Sequence, residues 1–376
     1  MLAKILVERT TQKNRRTCRA VRIVITLVSL IESVPIVDSM QDVPSSMFKQ
    51  SNPPLADNPI TRIGVDILGC DMPAKDLLRT VIAACDDLGE KAHFVVFCRP
   101  EHFTENIPAN LTLVPVEEEI FMDDLPLKAI RKKKNSSLCQ GIRFLKEKRI
   151  DAFISAGNTG ALLACSATTL KKLPGIARPA LLTVIPCKNK EVAVLDVGAT
   201  TICKKSHLLQ FAMMGIAYQR SRGILQPTVG LLNIGSEAQK GTPEHIKTYE
   251  ALAELSRNFS YPMFQGNKEG RDVFDGTVDV LVTDGFTGNI FLKTAEGIAS
   301  FIFKELQEKV NSPEISSLLQ RFDYAEYAGA LLCGIEGIVI KCHGLSQPKT
   351  FKQSFLSAIH LKEHSFLEKI SKQHFF

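Results

Sequence analysis

The residues best suited to chemistry lie in small polar loops that each follow a short apolar run. In the clearest, Ala152-Phe153-Ile154 leads through Ser155-Ala156-Gly157-Asn158-Thr159-Gly160 into an Ala/Leu-rich stretch. Such a turn uses glycine where φ is positive, and Asn or Thr where a short side chain bonds its own backbone. It also aims the free N–H groups of the next helix at one point, where the helix dipole favours an anion. One turn of this kind as readily serves only to redirect the chain. The plan recurs, however, in Asp284-Gly285-Phe286-Thr287-Gly288-Asn289, in Asp196-Val197-Gly198-Ala199-Thr200 and in Asn233-Ile234-Gly235-Ser236. Ligands of open α/β sheets sit beyond the carboxyl ends of the strands, so four such loops are expected on one edge, framing one site.

Cations accompany these loops: Lys240, Arg271, Lys293 one turn into a long helix, and Lys341 with His343. Singly each suits a surface ion pair; gathered beside glycine turns they suit a phosphate group. Other machinery is missing. No G-x-G-x-x-G follows the first strand, and Lys240 precedes Gly241 where a Walker loop needs the reverse order. There is no H-E-x-x-H and no G-x-S-x-G, so a nucleotide-driven enzyme and a nucleophile-elbow enzyme are both disfavoured. Ten cysteines without a C-x-x-C indicate neither a zinc site nor a disulfide framework, and mostly buried reduced thiols of a cytosolic protein are expected. No metal or cofactor is expected.

The elements that must position these loops alternate. Strands are predicted at Ile63–Ile67, Ala92–Cys98, Leu111–Val116, Ala152–Ile154, Ala180–Ile185, Val192–Leu195, Thr228–Leu232, Pro262–Gln265 and Val278–Thr283. Between them come helices at Ala74–Leu88, Ser136–Lys148, Ala161–Lys172, Ser206–Gln219 and Pro243–Arg257. This rhythm implies an α/β fold, a three-layer α/β/α sandwich around a mostly parallel sheet, over residues 60–370. Asn289–Val310 follows as a long helix whose apolar residues span a wide arc, so most should be core, with a dimer face or an oily channel as the other uses.

The formal charge of +6 does not describe a basic face. Residues 1–24 carry seven basic side chains and one acid, which leaves the rest of the chain neutral, and a nucleic-acid binder is not implied. Residues 1–59 read as a disordered or artefactual extension whose apolar run, Ile23–Ile31, is too short to span a bilayer. The run Arg131-Lys132-Lys133-Lys134 is either a solvated surface or a docking patch for an acidic partner.

Taken together, Arg131–Ser137, Ile154–Leu162, Pro174–Ala180, Leu195–Ala199, His207–Phe211, Leu231–Gly235 with Lys240-Gly241, Gly266–Asp272, Asp284–Lys293, Arg321–Tyr324 and Gly337–Gly344 resemble the bacterial phosphate acyltransferase family. The likeness covers roughly Arg62 to His360. It departs at Cys70, where the family has glycine, at Thr200 and Ile202, and in the reduced acidic cluster Ser236-Glu237-Ala238. The resemblance implies a fold related to phosphotransacetylases and to isocitrate-type dehydrogenases. It also implies a cytoplasmic homodimer in peripheral contact with the membrane, working before a glycerol-3-phosphate acyltransferase on the way to phosphatidic acid. The implied reaction transfers a fatty acyl group from acyl carrier protein to inorganic phosphate.

For that reaction, phosphate is expected at Asn158-Thr159-Gly160, at Thr287-Gly288-Asn289 and at Lys293, with charge balance from Arg271 or Lys341. Asn233 or Asn267 would donate to the oxyanion and His343 would carry a proton. Asp66, Gly69, Asp71, Asp196, Gly198, Lys240 and Asp284 would line the site. A nicotinamide-dependent dehydrogenase and a non-catalytic carrier-protein scaffold are the alternative readings.

Overall fold

The computed structural model describes residues 60–103, 107–309, 329–342 and 348–371. The extension 1–59, the Arg321–Tyr324 motif and His343-Gly344 lie outside the described residues. The strands are β1 (Thr61–Asp66), β2 (Ala92–Cys98), β3 (Leu111–Pro115), β4 (Ala152–Ser155), β5 (Ala180–Pro186), β6 (Glu191–Leu195), β7 (Val229–Leu232), β8 (Phe264–Lys268), β9 (Val280–Val282), β10 (Ala330–Cys333) and β11 (Ile338–Lys341). The helices are α1 (Ala74–Leu88), α2 (Pro126–Lys132), α3 (Ser137–Lys146), α4 (Thr159–Thr169), α5 (Lys205–Ser221), α6 (Pro243–Ser256), α7 (Gly285–Lys309), α8 (Pro348–Glu363) and α9 (Phe366–Ser371).

The eleven strands among the described residues share one sheet, in the order β3-β2-β1-β4-β11-β10-β5-β6-β9-β7-β8. The inner strands β4, β6, β7 and β9 read as apolar runs because helices cover both faces, whereas β3 and β8 at the two ends of the sheet carry exposed positions. Side chains alternate along β2, so Phe94 and Phe97 point to opposite faces. Phe94 meets Phe355 of α8 edge-on at 4.9 Å, and Phe97 meets Phe144 of α3 at 5.1 Å. The α/β/α sandwich with a mostly parallel sheet is thus observed.

The pairing contains a reversal. Strands β3, β2, β1, β4 and β11 are mutually parallel, as are β6, β9, β7 and β8. Between the blocks, β10 is antiparallel to β11 and to β5, and β5 is antiparallel to β6. Three reversals leave the two parallel blocks running in opposite directions.

Local departures from the predicted elements have local causes. Helix α4 begins at Thr159, two residues early, because Asn158 caps it by accepting from the Ala161 N–H at 3.0 Å. The charged connection Glu117–Lys134 contains α2, which starts on Pro126 at a position where a missing N–H costs nothing. In α7 the expectation of a mostly core helix fails: Ile290, Ile298 and Phe301 are exposed, and none of its apolar residues is fully buried. Its first turn rests on the Asp196 turn, and Phe291 and Leu292 pack half-buried against the core. Among the described residues no helix is long and apolar enough to cross a membrane.

One ion-pair cluster fastens β1 and β4 to α8. The Asp151 carboxylate accepts from Arg62 N (2.8 Å), Arg62 Nη2 (2.9 Å) and Lys362 Nζ (3.0 Å). Burial alone would push this carboxyl up, but Arg62 and Lys362 prevail and hold it below its ordinary value. A depressed carboxylate stabilises the fold above its unfolded pKa of about 3.9, and that contribution disappears as pH falls through the folded value. Asp151→Asn should therefore lower Tm at pH 7 and converge on the parent protein as acid is added. A melting gap that stayed constant down to pH of about 2 would refute this.

Candidate active site

The reversal in the sheet divides the expected site residues. The carboxyl ends of β1, β4 and β11 lie on one margin of the sheet; those of β6, β7, β8 and β9 lie on the other. Asp66, Gly69, Asp71, Asn158, Thr159, Gly160 and Lys341 belong to the first margin. Asp196, Gly198, Asn233, Lys240, Asn267, Arg271, Asp284, Thr287, Gly288, Asn289 and Lys293 belong to the second. The expectation of four loops on one edge is corrected: three share a margin, and the Ser155–Gly160 turn is on the other. Among the described residues no hydrogen bond or ion pair joins the two groups.

The second margin is built around Asp196. Its carboxylate is fully buried and accepts from the N–H groups of Leu181 (2.9 Å), Gly198 (3.0 Å), Ala199 (2.9 Å) and Thr200 (2.6 Å). Burial pushes the Asp196 carboxyl up, while those four donors pull it back. The start of α7 lies directly on this turn. Gly285 N donates to Thr200 O at 2.9 Å, and a Cβ on Gly288 would stand 2.0 Å from Asp196 O. Glycine is needed there because the obstacle is backbone.

Asp284 caps α7. Its Oδ1 accepts from Phe286 N (3.0 Å) and Thr287 N (2.9 Å), and its Oδ2 from Thr287 Oγ1 (2.7 Å). The first N–H groups of this helix are therefore occupied by Thr200 and Asp284, and it is side chains, chiefly Asn289 and Lys293, that face solvent here. Asn289 lies beside Gly198, whose ideal Cβ would be 3.8 Å from Asn289 Cγ.

The Asn233–Gly241 loop closes the other flank. Asn233 Nδ2 donates to Lys240 O (2.9 Å) and its Oδ1 accepts from Ile234 N (2.8 Å). Asn267, 5% exposed, donates to Glu237 O at 2.7 Å, and its buried Oδ1 has no partner. Both amides, expected as oxyanion donors, bond to the loop that presents Lys240, Asn267 from a buried position and Asn233 from a half-buried one. Gly241, with φ of 93°, turns the chain there. Arg271 is exposed and engaged by Glu269 at 3.2 Å and Asp272 at 3.6 Å.

Sequence reasoning missed several groups on this margin. His245 packs with its Cβ against Gly241, and its Nδ1 lies 2.7 Å from Thr242 Oγ1. Burial pushes the imidazole down and nearby Asp284 pushes it up; the net direction is down, so it is neutral near pH 7. Lys204 and His207 start α5, where His207 is lowered by burial, Arg178 and Lys204. The signal was present in Thr242-Pro243-Glu244-His245, a helix opening directly after Lys240-Gly241 that turns its third residue back on the loop.

The first margin is occupied internally. Asp66 is buried and accepts from Ser155 Oγ (2.8 Å) and Leu68 N (3.1 Å), and burial pushes its carboxyl up. Lys341 is buried, lowered by that burial, and donates to Ala156 O (3.2 Å) and Cys342 O. It is thus not a solvent-facing charge for an anion. Asn158 uses Oδ1 as a helix cap and Nδ2 on the carbonyls of Phe121 (3.1 Å), Met122 (3.0 Å) and Asp124 (3.1 Å). Asp71 is exposed, and Gly69 lies against the Ile120 backbone. Asn158→Ala should cost about 2 kcal/mol in denaturant unfolding, from the lost cap and loop bonds. The phosphate dependence of turnover should not change; an altered phosphate KM in a folded variant would return Asn158 to the binding site.

A model of the family described as fatty acid synthesis protein matches residues 61–369. The phosphate acyltransferase of Brevibacillus brevis is 41% identical over 330 residues, covering 83% of this chain and 96% of that protein. The phosphate acyltransferase of Chlamydia caviae is 40% identical over 318 residues, covering 82% and 98%. In fold, the chain is similar to a phosphotransacetylase from Streptococcus pyogenes, with a TM-score of 0.54 at 15% identity over 81% of this chain and 94% of that one. A phosphotransacetylase from Staphylococcus aureus also gives 0.54, at 14% identity over 80% and 94%. With that much of its length matched at that identity, the chain belongs to the fatty acid synthesis protein family and is an acyltransferase.

Proposed function

We propose that the protein transfers a fatty acyl group from acyl carrier protein to inorganic phosphate, giving an acyl phosphate for phosphatidic acid synthesis. The supporting observation is the second margin, where the Asp196, Asn233, Asn267 and Asp284 loops interlock and leave Lys240, Asn289 and Lys293 at its surface. Phosphate attacks the thioester carbonyl, the C–S bond breaks, and the carrier thiol leaves as thiolate. A thiol of pKa about 8.5 departs without a strong acid. The protein's part is to hold a dianion beside the carbonyl and stabilise the tetrahedral oxyanion, which is positioning and electrostatics. No enzyme nucleophile is needed, in keeping with a margin of amides and cations.

In this reading Lys240 and Lys293 bind phosphate with Asn289 and Thr287, and Asp196 and Gly288 fix their spacing. The exposed face of α7, with Phe286, Ile290, Ile298 and Phe301, suits a homodimer contact or peripheral contact with the membrane, where a glycerol-3-phosphate acyltransferase would consume the product.

The test uses the full chain with palmitoyl-acyl carrier protein, with and without phosphate, and traps acyl phosphate as hydroxamate. Phosphate-dependent hydroxamate with release of free carrier is the expected result. Carrier binding without hydroxamate would overturn the reading in favour of a scaffold.

A further inference from the structure

Cys139 of α3 and Cys165 of α4 face one another, with their sulfurs 3.7 Å apart where the two helices pack. Both are buried, at 8% and 5% exposed, and the acyl-transfer reading uses neither. A single buried cysteine is ordinarily an inert small hydrophobe. A facing pair is different, because the second sulfur can capture the first once it is oxidised.

The two thiols are chemically unequal. Cys165 donates to Cys139 Sγ, and that hydrogen bond is the main influence holding the Cys139 thiol below its ordinary value. Burial opposes it, while Ser136 and the Arg143 guanidinium one turn on assist. The same bond and burial push Cys165 up, so it keeps its proton. Burial likewise pushes up the thiols of Cys70, Cys85, Cys98, Cys203, Cys333 and Cys342. Thiolate character, the form that meets an oxidant, is therefore concentrated at Cys139.

The geometry also suits closure. Sulfurs in a disulfide are about 2.05 Å apart, so each has to move by less than about 1 Å. The bond would join residues 26 apart in the chain and remove loop-closure freedom from the unfolded state. It would also tie together the two helices that frame the first margin. Ser137 at the start of α3 bonds Asp66, and Asn158 at the start of α4 grips the carbonyls of residues 121, 122 and 124.

We propose that Cys139 and Cys165 form a reversible dithiol–disulfide pair, oxidised by hydrogen peroxide, that staples α3 to α4. The Cys139 thiolate attacks one peroxide oxygen; the O–O bond breaks, giving a sulfenic acid at Cys139 and hydroxide. The Cys165 sulfur then attacks the sulfenic sulfur, its proton leaves with the hydroxyl as water, and the S–S bond forms. Each thiol sulfur gives up one electron, and the peroxide takes up both. A dithiol reductant reverses the oxidation. None of these steps depends on the acyl-transfer reading.

The experiment treats the folded full-length protein with hydrogen peroxide, blocks the remaining thiols and maps its peptides without reduction. A Cys139–Cys165 cross-linked peptide should form and raise Tm by about 5 °C, and dithiothreitol should abolish both. Cys139→Ser should slow peroxide-dependent thiol loss at least tenfold. Cys165→Ala should instead leave a sulfenic acid at Cys139 that dimedone traps. Should either variant fail to fold, the peptide map of the parent protein decides alone. Absence of this cross-link, whether other cysteines oxidise or none does, overturns the proposal. So does a cross-link that forms only in urea, or one that lowers Tm.

Discussion

Gly288→Ala should melt well below the parent protein and lose acyl transfer. The added methyl would lie 2.0 Å from Asp196 O and 2.7 Å from Thr283 Cγ2. A side-chain obstacle can rotate away, but Asp196 is fixed by four N–H donors to its carboxylate, so helix α7 must move instead. Overpacking of this kind costs about 3 kcal/mol or more. The displaced turn carries Thr287, Asn289 and Lys293, so the margin loses its geometry together with its stability. Gly297→Ala on the same helix provides the control, because nothing lies within 4 Å of its ideal Cβ. That change should be neutral or stabilise by up to about 1 kcal/mol through helix propensity. Urea unfolding of the two variants measures the difference, and indistinguishable midpoints would mean that α7 does not rest on the Asp196 turn.

Lys240→Ala should leave stability within about 0.5 kcal/mol, as expected for an exposed side chain, and reduce kcat/KM for phosphate about a hundredfold. The side chain is exposed, and its stem lies beside Gly235, with Cγ 3.1 Å from an ideal Cβ there. Its backbone is held by Asn233 Nδ2 and by Glu237 O, so the loop keeps its shape when the ammonium is removed. Lys240→Arg retains the charge and should recover part of the rate. Steady-state kinetics at varied phosphate checks this. An alanine variant within threefold of the parent would remove Lys240 from the phosphate site.

Much of the fold was legible because it rests on local information. Continuous apolar runs bounded by glycine and polar loops mark strands buried on both faces, and the Ala/Leu-rich stretches between them mark covering helices. Helix α5 shows the same logic: from Leu208 to Gln219 it is buried throughout, so no narrow apolar stripe could be expected. Asp284 was recognisable in the chain text as the end of a strand, and its capping of α7 follows from residue type and spacing. The family likeness was legible too, since it depends on the order of whole motifs.

What each motif does was less legible. Asn158 and Asn289 both occupy small loops with Gly and Thr, yet one is consumed by four hydrogen bonds and the other reaches the surface. His245 went unnoticed because its neighbours, Gly241, Thr242 and Asp284, come from two different strand-to-helix connections.

By itself, the sequence determined the alternation of strands and helices and the glycine loops at strand ends. Only the tertiary structure decided which loops share a margin. That depends on the three antiparallel pairings between the blocks: those of β10 with β11 and with β5 bring β5 back to the first direction, and the pairing of β5 with β6 reverses the second block. Strand direction comes from hydrogen bonds between residues such as Leu331 and Leu182, far apart in the chain, and local pattern carries no record of such a pairing.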